Sequence, residues 1–209
     1  MKPLKIIILA AVVLGLTACS ATKPVSRNEP LVTQLVDPAP AISFNVQDLR
    51  ISVPDSLSVS EANIYYPSAD IVWRGDDYGE RHQQVKAIFE DAMTQGLQGL
   101  HGNRAVIVDI EVKRFHSLTE RARYTIGGVH SIKFVMTLHD AQTGALIGEP
   151  RLVVADLKGF GGKKAVAAEH RGVTQKVRIK AHLARVIQHE LIARQTDKVV
   201  LESLAAATE

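Results

Sequence analysis

The run Val106-Ile107-Val108-Asp109-Ile110-Glu111-Val112-Lys113 puts Val106, Val108, Ile110 and Val112 on one parity and Asp109, Glu111 and Lys113 on the other. Successive strand residues face opposite ways, so this is a strand with one buried face. Ile132, Phe134, Met136 and Leu138 repeat the alternation. Asp140-Ala141-Gln142-Thr143-Gly144 then reads as a turn, with glycine where φ must be positive. Pro150 delays a third strand, expected from Leu152 to Leu157 and paired with the second as a hairpin.

Upstream, Val85, Ile88, Phe89, Ala92, Met93, Gly96, Leu97 and Leu100 recur at helical spacing. They predict an amphipathic helix, weakened at Gly96 and Gly99 and ending near Gly99 or Gly102. Asp77-x-x-Glu80 resembles an acidic capping box at its start. Earlier still, Phe44 and Val46 precede Leu49, Ile51 and Val53 with a parity slip at Gln47-Asp48. That slip predicts a bulged strand ended by Pro54. Ile71-Val72-Trp73 is an edge strand or the lead-in to the helix. Downstream, Gly159-Phe160-Gly161-Gly162 breaks the pattern, and residues from about 165 to 194 favour helix, interrupted at Gly172. Val177, Ala181, Ala184, Ile187 and Leu191 form the expected apolar stripe, widened by Ile179, Leu183 and Val186. The order β-α-β-β-β-α predicts one α+β domain over residues 44–194, with a mostly antiparallel or mixed sheet and two helices on one face.

The chain has 209 residues, 46% hydrophobic, 22% charged and 5% aromatic. This balance excludes collagen-like, extensively disordered and polytopic membrane classes. Lys+Arg 25 against Asp+Glu 22 gives +3. Removing Lys2 and Lys5 with a leader lowers the net to +1. A near-neutral body with few rings argues against nucleic-acid binding.

Lys2 and Lys5 precede the apolar run Ile6 to Leu16, which is shorter than the roughly 20 residues a bilayer span needs. Residues 1–18 therefore read as a signal peptide. Leu16-Thr17-Ala18-Cys19 resembles the bacterial lipobox. That resemblance implies a diacylglyceryl thioether on Cys19, cleavage before it, and acylation of the new amine by a palmitate-type chain. The plainer alternative is an ordinary cleaved signal with a cysteine beside the cut. Ser20, where aspartate would resemble the enterobacterial inner-membrane retention signal, implies an outer-membrane destination facing the periplasm. Residues 19–43, which include Pro24, Pro30, Pro38 and Pro40, read as a lipidated N-terminus and tether. Residues 195–209 read as a tail.

Tyr65-Tyr66-Pro67…Asp70-Ile71-Val72-Trp73 and Arg123-Tyr124-Thr125-Ile126-Gly127-Gly128-Val129 resemble an uncharacterised family of alphaproteobacterial envelope lipoproteins. The topology is similar to small outer-membrane assembly lipoproteins and to auxiliary lipoproteins of envelope ABC transporters.

Three basic segments are candidate contact sites. Arg178, His182, Arg185 and His189 fall on one strip of the last helix. The strip is either a solvated face or a patch for lipid headgroups, lipopolysaccharide phosphates or an acidic partner. Arg121, Arg123 and Tyr124 lie in the connection between the first two alternating strands, near His130, whose parity predicts a satisfied, partly buried imidazole. Lys163 and Lys164 follow the glycine-rich loop, which lacks the Walker spacing but could cradle an anion. No triad, metal-ligand spacing or cofactor motif orders the polar residues. The reading is a non-enzymatic outer-membrane lipoprotein, an accessory or assembly factor of an envelope complex with a protein partner, without cofactor or metal. The alternative is a carrier of lipid or anionic glycan.

Overall fold

The computed structural model describes residues 43–206, with side chains described as far as residue 195. In chain order the elements are β1 (Phe44–Ser52), β2 (Ile71–Val72), α1 (Arg81–Leu97), β3 (Arg104–His116) and α2 (Glu120–Arg123). They continue as β4 (Gly128–Asp140), β5 (Arg151–Val154), β6 (Leu157–Gly159), α3 (Gly162–Glu169) and α4 (Gln175–Ala206). The fold is α+β, with a mixed, mostly antiparallel open sheet ordered β1-β3-β4-β5. Two short strands extend it: β2 pairs with the end of β3, and β6 with the start of β4.

Strands β1 and β3 run parallel, as their crossover through α1 requires. Their register shifts between Val46 and Asp48, the bulge that the parity slip predicts. The extra residue returns Leu49, Ile51 and Val53 to the side of Phe44, where they pack against the core. Strands β3 and β4 pair antiparallel, and their inward Val106, Val108, Ile110, Ile132, Phe134, Met136 and Leu138 are buried. At the turn, the Asp140 carboxylate accepts from the Gln142 and Thr143 amides, and Gly144 takes φ +71°. The hairpin of β4 with β5 follows as expected.

The expected third strand is broken in two. The Asp156 carboxylate accepts the Ile132 amide at 3.0 Å, replacing a main-chain acceptor, so pairing lapses between β5 and β6. The region expected as one interrupted helix is two, separated around Gly172 at φ +74°. Helix α4 runs to Ala206, so the backbone beyond Arg194 continues it rather than starting a separate tail.

Helices α1 and α4 cover one face of the sheet. Val85, Ile88, Phe89, Ala92 and Met93 of α1 are fully buried, each large one contributing about 1.5–3 kcal/mol of transfer free energy. Phe89 sits edge-on to Phe115 and Phe134, and Trp73 edge-on to Phe115. Gly96 is a packing residue as well as a weak point. A Cβ there would overlap the Ala184 carbonyl oxygen and Ile187, so the two helices cross at backbone distance. Most of the expected α4 stripe is buried, with Val177 and the half-buried Ala181 as the exceptions. Ile179, Leu183, Ile187 and Leu191 face the sheet with Ala184, whereas Val177 is exposed.

The connection from residue 53 to 80 is fixed by charge rather than by regular structure. Arg81, buried, donates to both Glu61 carboxylate oxygens at 2.6 and 3.0 Å and to the Asp77 carbonyl at 3.1 Å. Arg74 pairs with Glu61 and Glu120. The Asp76 carboxylate takes the Trp73 indole N–H at 2.9 Å and Lys176 Nζ at 2.8 Å. The expected capping box does not form. Glu80, not Asp77, is the N-cap residue and makes no side-chain cap bond, while the Asp77 carbonyl accepts from the Arg81 guanidinium and the Gln84 amide.

Candidate functional site

Four segments distant in sequence meet where β6 ends: the α2 region, the start of β4, the Gly159–Gly162 loop with α3, and the start of α4. Glycine makes the meeting possible. A Cβ on Gly159 would overlap Leu118, and one on Gly161 would overlap the Gly127 amide nitrogen. The glycine-rich loop is thus filled by its own neighbours, and its backbone is not the open anion cradle entertained from sequence. Lys163 and Lys164 stand exposed on the first turn of α3, with Lys164 Nζ 4.3 Å from the centre of the Phe160 ring.

Beneath α3 lies a half-open pocket lined by Leu118, Arg123, His130, Phe160, Glu169, Gln175 and Arg178, among others, whose enclosed part measures about 10 Å³. That is room for one water-sized group. His130 is 1% exposed. Its Nδ1 accepts the Leu118 amide at 3.3 Å, which places the proton of the neutral ring on Nε2. Nε2 is buried without a partner among the described residues, as are both amide atoms of Gln175, itself 5% exposed. Burial, reinforced by the charges of Arg178, Arg123 and His182, lowers the His130 pKa to about 4.

Two arginines flank these groups. Arg123 Nε lies 3.2 Å from a Glu169 carboxylate oxygen, and the other Glu169 oxygen accepts the Tyr124 hydroxyl at 3.1 Å. Arg178 lies over the Phe160 ring at 3.6 Å and donates through Nη2 to the Lys158 carbonyl at 2.7 Å. No carboxylate of a described residue pairs with Arg178, and burial lowers its pKa.

The structure therefore gathers Arg123, Tyr124, Lys164 and Arg178, drawn from all three basic segments, around Phe160 and Glu169. It divides the helix strip. Arg178 and the half-buried His182 turn inward, and burial lowers the His182 pKa. Arg185 and His189 stay exposed and, together with His182, line an open groove of about 300 Å³ with Val154, Val186 and Glu190. Lys163 points away from the pocket lining. Arg121 stands over the exposed Tyr65 ring at 4.8 Å, and its amide donates to Asn63. Tyr66, 67% exposed, stacks on His116 at 4.4 Å and accepts from Arg114. Tyr65 also hydrogen-bonds Thr125, so the two segments that carried the family resemblance are neighbours. Cys19 lies outside the described residues.

Sequence reasoning read His130 as a satisfied histidine; it is buried but satisfied at one nitrogen only. It passed over Gln175 and Glu169, because nothing in their local spacing marks them. Their one signal was a polar residue opening an apolar helical face, Gln175 four residues before Ile179. Among the described residues, no cluster of three or more His, Cys, Asp or Glu could hold a metal ion.

The chain belongs to a family of unknown function, DUF6778, whose model matches residues 44–206. No curated protein matches the sequence. Among solved structures, a DUF330 protein of Xanthomonas campestris aligns with a TM-score of 0.44 and 13% identity, over 77% of this chain and 93% of its own. A protein of Caulobacter crescentus CB15 described as a candidate lipoprotein aligns at 0.34 and 18% identity, over 53% of this chain and 83% of its own. An uncharacterised protein aligns at 0.35 and 15% identity, over 74% and 90%. These are partial likenesses of topology, and nothing further rests on them.

Proposed function

We propose that the chain is a lipid-anchored lipoprotein on the periplasmic face of the outer membrane, serving as a non-enzymatic accessory or assembly factor of an envelope complex. The observation that carries the reading is the lipobox-like Leu16-Thr17-Ala18-Cys19 behind a basic and apolar leader. Each buried methylene of an acyl chain contributes about 0.8 kcal/mol, so two or three chains on Cys19 hold the protein on the membrane without a protein span. Among the described residues no helix is long and apolar enough to cross a membrane, which leaves the acyl chains as the attachment in this reading.

The contact surface favoured by the structure is the Tyr65-Tyr66-Arg121 platform. Exposed tyrosines held by arginines are the side chains that dominate protein interfaces, because they bury large area at little cost in rotamer entropy. Arg185 and His189 remain available as a second patch. Arg178 lies apart from that patch, turned inward over Phe160 with Nη2 on the Lys158 carbonyl. A second reading, a carrier of lipid or anionic glycan, draws on the groove where Arg185, His182 and His189 flank Val154 and Val186.

Two experiments test the proposal. Radiolabelled palmitate should enter the wild-type chain and not Cys19→Ser, which should leave the membrane pellet. A Cys19→Ser chain that stays membrane-bound would contradict the anchor. In intact cells, crosslinked adducts of the wild type should be lost in Tyr65→Ala/Arg121→Glu, and their persistence would remove the platform from the account.

A further inference from the structure

We propose that the pocket beneath α3 binds the phosphate group of a ligand, with Arg178, His130 and Gln175 as its donors. The inference is independent of the accessory role and of the membrane anchor.

The argument starts from what those three side chains lack. Polar groups removed from water are almost always hydrogen-bonded, since an unmade bond costs the full desolvation penalty. Here the His130 Nε2 proton and the Gln175 amide, both more than nine-tenths buried, have no partner among the described residues and line the same small cavity. Beside them, Arg178 uses one N–H on the Lys158 carbonyl and has no carboxylate. A partly buried cation next to orphaned N–H donors is the complement of an oxyanion.

The enclosed volume of about 10 Å³ accepts one oxygen of such a group, and the open mouth beside Phe160 accepts the remainder. Donors approaching from a guanidinium, an imidazole and a carboxamide suit the tetrahedral spread of phosphate oxygens better than the two coplanar oxygens of a carboxylate. The neighbouring arginine supplies an internal precedent, because Arg123 already holds the Glu169 carboxylate. Glu169 also excludes the alternative polarity: a cationic ligand would face two guanidiniums against a single carboxylate.

The test uses the full-length chain in a neutral detergent, titrated calorimetrically with inorganic phosphate and, separately, with glycerophosphoglycerol, the phosphodiester headgroup of phosphatidylglycerol. Sodium chloride of equal ionic strength is the blank. Saturable binding of either probe is expected. Tighter binding of phosphate assigns the site to free phosphate or a monoester, and tighter binding of the diester assigns it to a lipid headgroup. Arg178→Gln should weaken the preferred probe roughly tenfold to hundredfold. Gln175→Leu, which keeps the cavity wall and the charge count, should weaken it as well and serves if Arg178→Gln fails to fold. Lys86→Gln, on α1 and outside the pocket lining, should bind like wild type. Heat no greater than the chloride blank for both probes, or wild-type affinity in Gln175→Leu, overturns the proposal.

Discussion

Two polar regions of this molecule obey opposite rules. In the 53–80 connection, the buried Arg81 reaches Glu61, Asp77 and Gln84, and Asp76 binds Trp73 and Lys176. That network substitutes for secondary structure over a long loop. Beneath α3, His130 and Gln175 are buried as deeply, but His130 Nε2 and both Gln175 amide atoms are left without partners among the described residues, and none of their carboxylates pairs with Arg178. A satisfied network holds a fold together; an unsatisfied one costs stability and persists where something else is bound.

The contrast breaks most sharply at Arg81. Arg81→Met should destabilise the protein by about 3 kcal/mol in urea unfolding, because the bonds of the buried guanidinium to both Glu61 oxygens, the Asp77 carbonyl and Gln84 are lost together, leaving Glu61 to Arg74. A loss well below 1 kcal/mol would mean that the clamp is ornamental.

Acid should attack the other region first. The His130 pKa is about 4 in the fold, against roughly 6.5 for an unfolded histidine. The unfolded chain therefore takes up this proton first. Stability is flat above about pH 6.5, falls between pH 6.5 and 4, and levels off below that. A shift of this size corresponds to about 3 kcal/mol. His116 and His182, also lowered by burial, act with the same sign. The clamp carboxylates Glu61 and Asp76, held below their ordinary values, contribute stability that is lost only at lower pH. Denaturation series at stepped pH should show His130→Leu with a markedly shallower slope between pH 6.5 and 4; an unchanged slope would remove His130 as the main titrating group.

Gly96→Ala should cost about 2 kcal/mol by forcing α1 and α4 apart at Ala184, read as a fall in melting temperature. The smallest effect is the most informative. Gln175→Leu should change stability by less than about 0.5 kcal/mol or raise it, since the amide it removes is already unpaired. A large loss would show that the amide has a structural partner in solution.

Much of the fold was legible because it depends on parity and period. Val106 to Val112, the slip at Gln47-Asp48 and the turn at Asp140–Gly144 each follow from one local rule of side-chain direction or backbone sign. The failures come from side chains that replace main-chain partners across long separations. Asp156 divides the expected third strand by taking the Ile132 amide from 24 residues away. On α4 most of the stripe follows the helical period, and Val177 departs from it, apolar yet exposed, a choice that packing makes and composition does not. Arg123, Lys164 and Arg178 were visible singly as basic residues. Their convergence was not, because it depends on Gly127 and Gly161 letting two backbones touch and on Gly159 leaving room for the Leu118 side chain.

The nitrogen-15 spectrum of the histidine rings in the full-length chain tests the central contrast most directly. At pH 7 the account predicts a neutral His130 ring carrying its proton on Nε2, with that resonance shifting saturably as phosphate is added. A ring charged at pH 7, or an Nε2 signal indifferent to saturating phosphate, would contradict it.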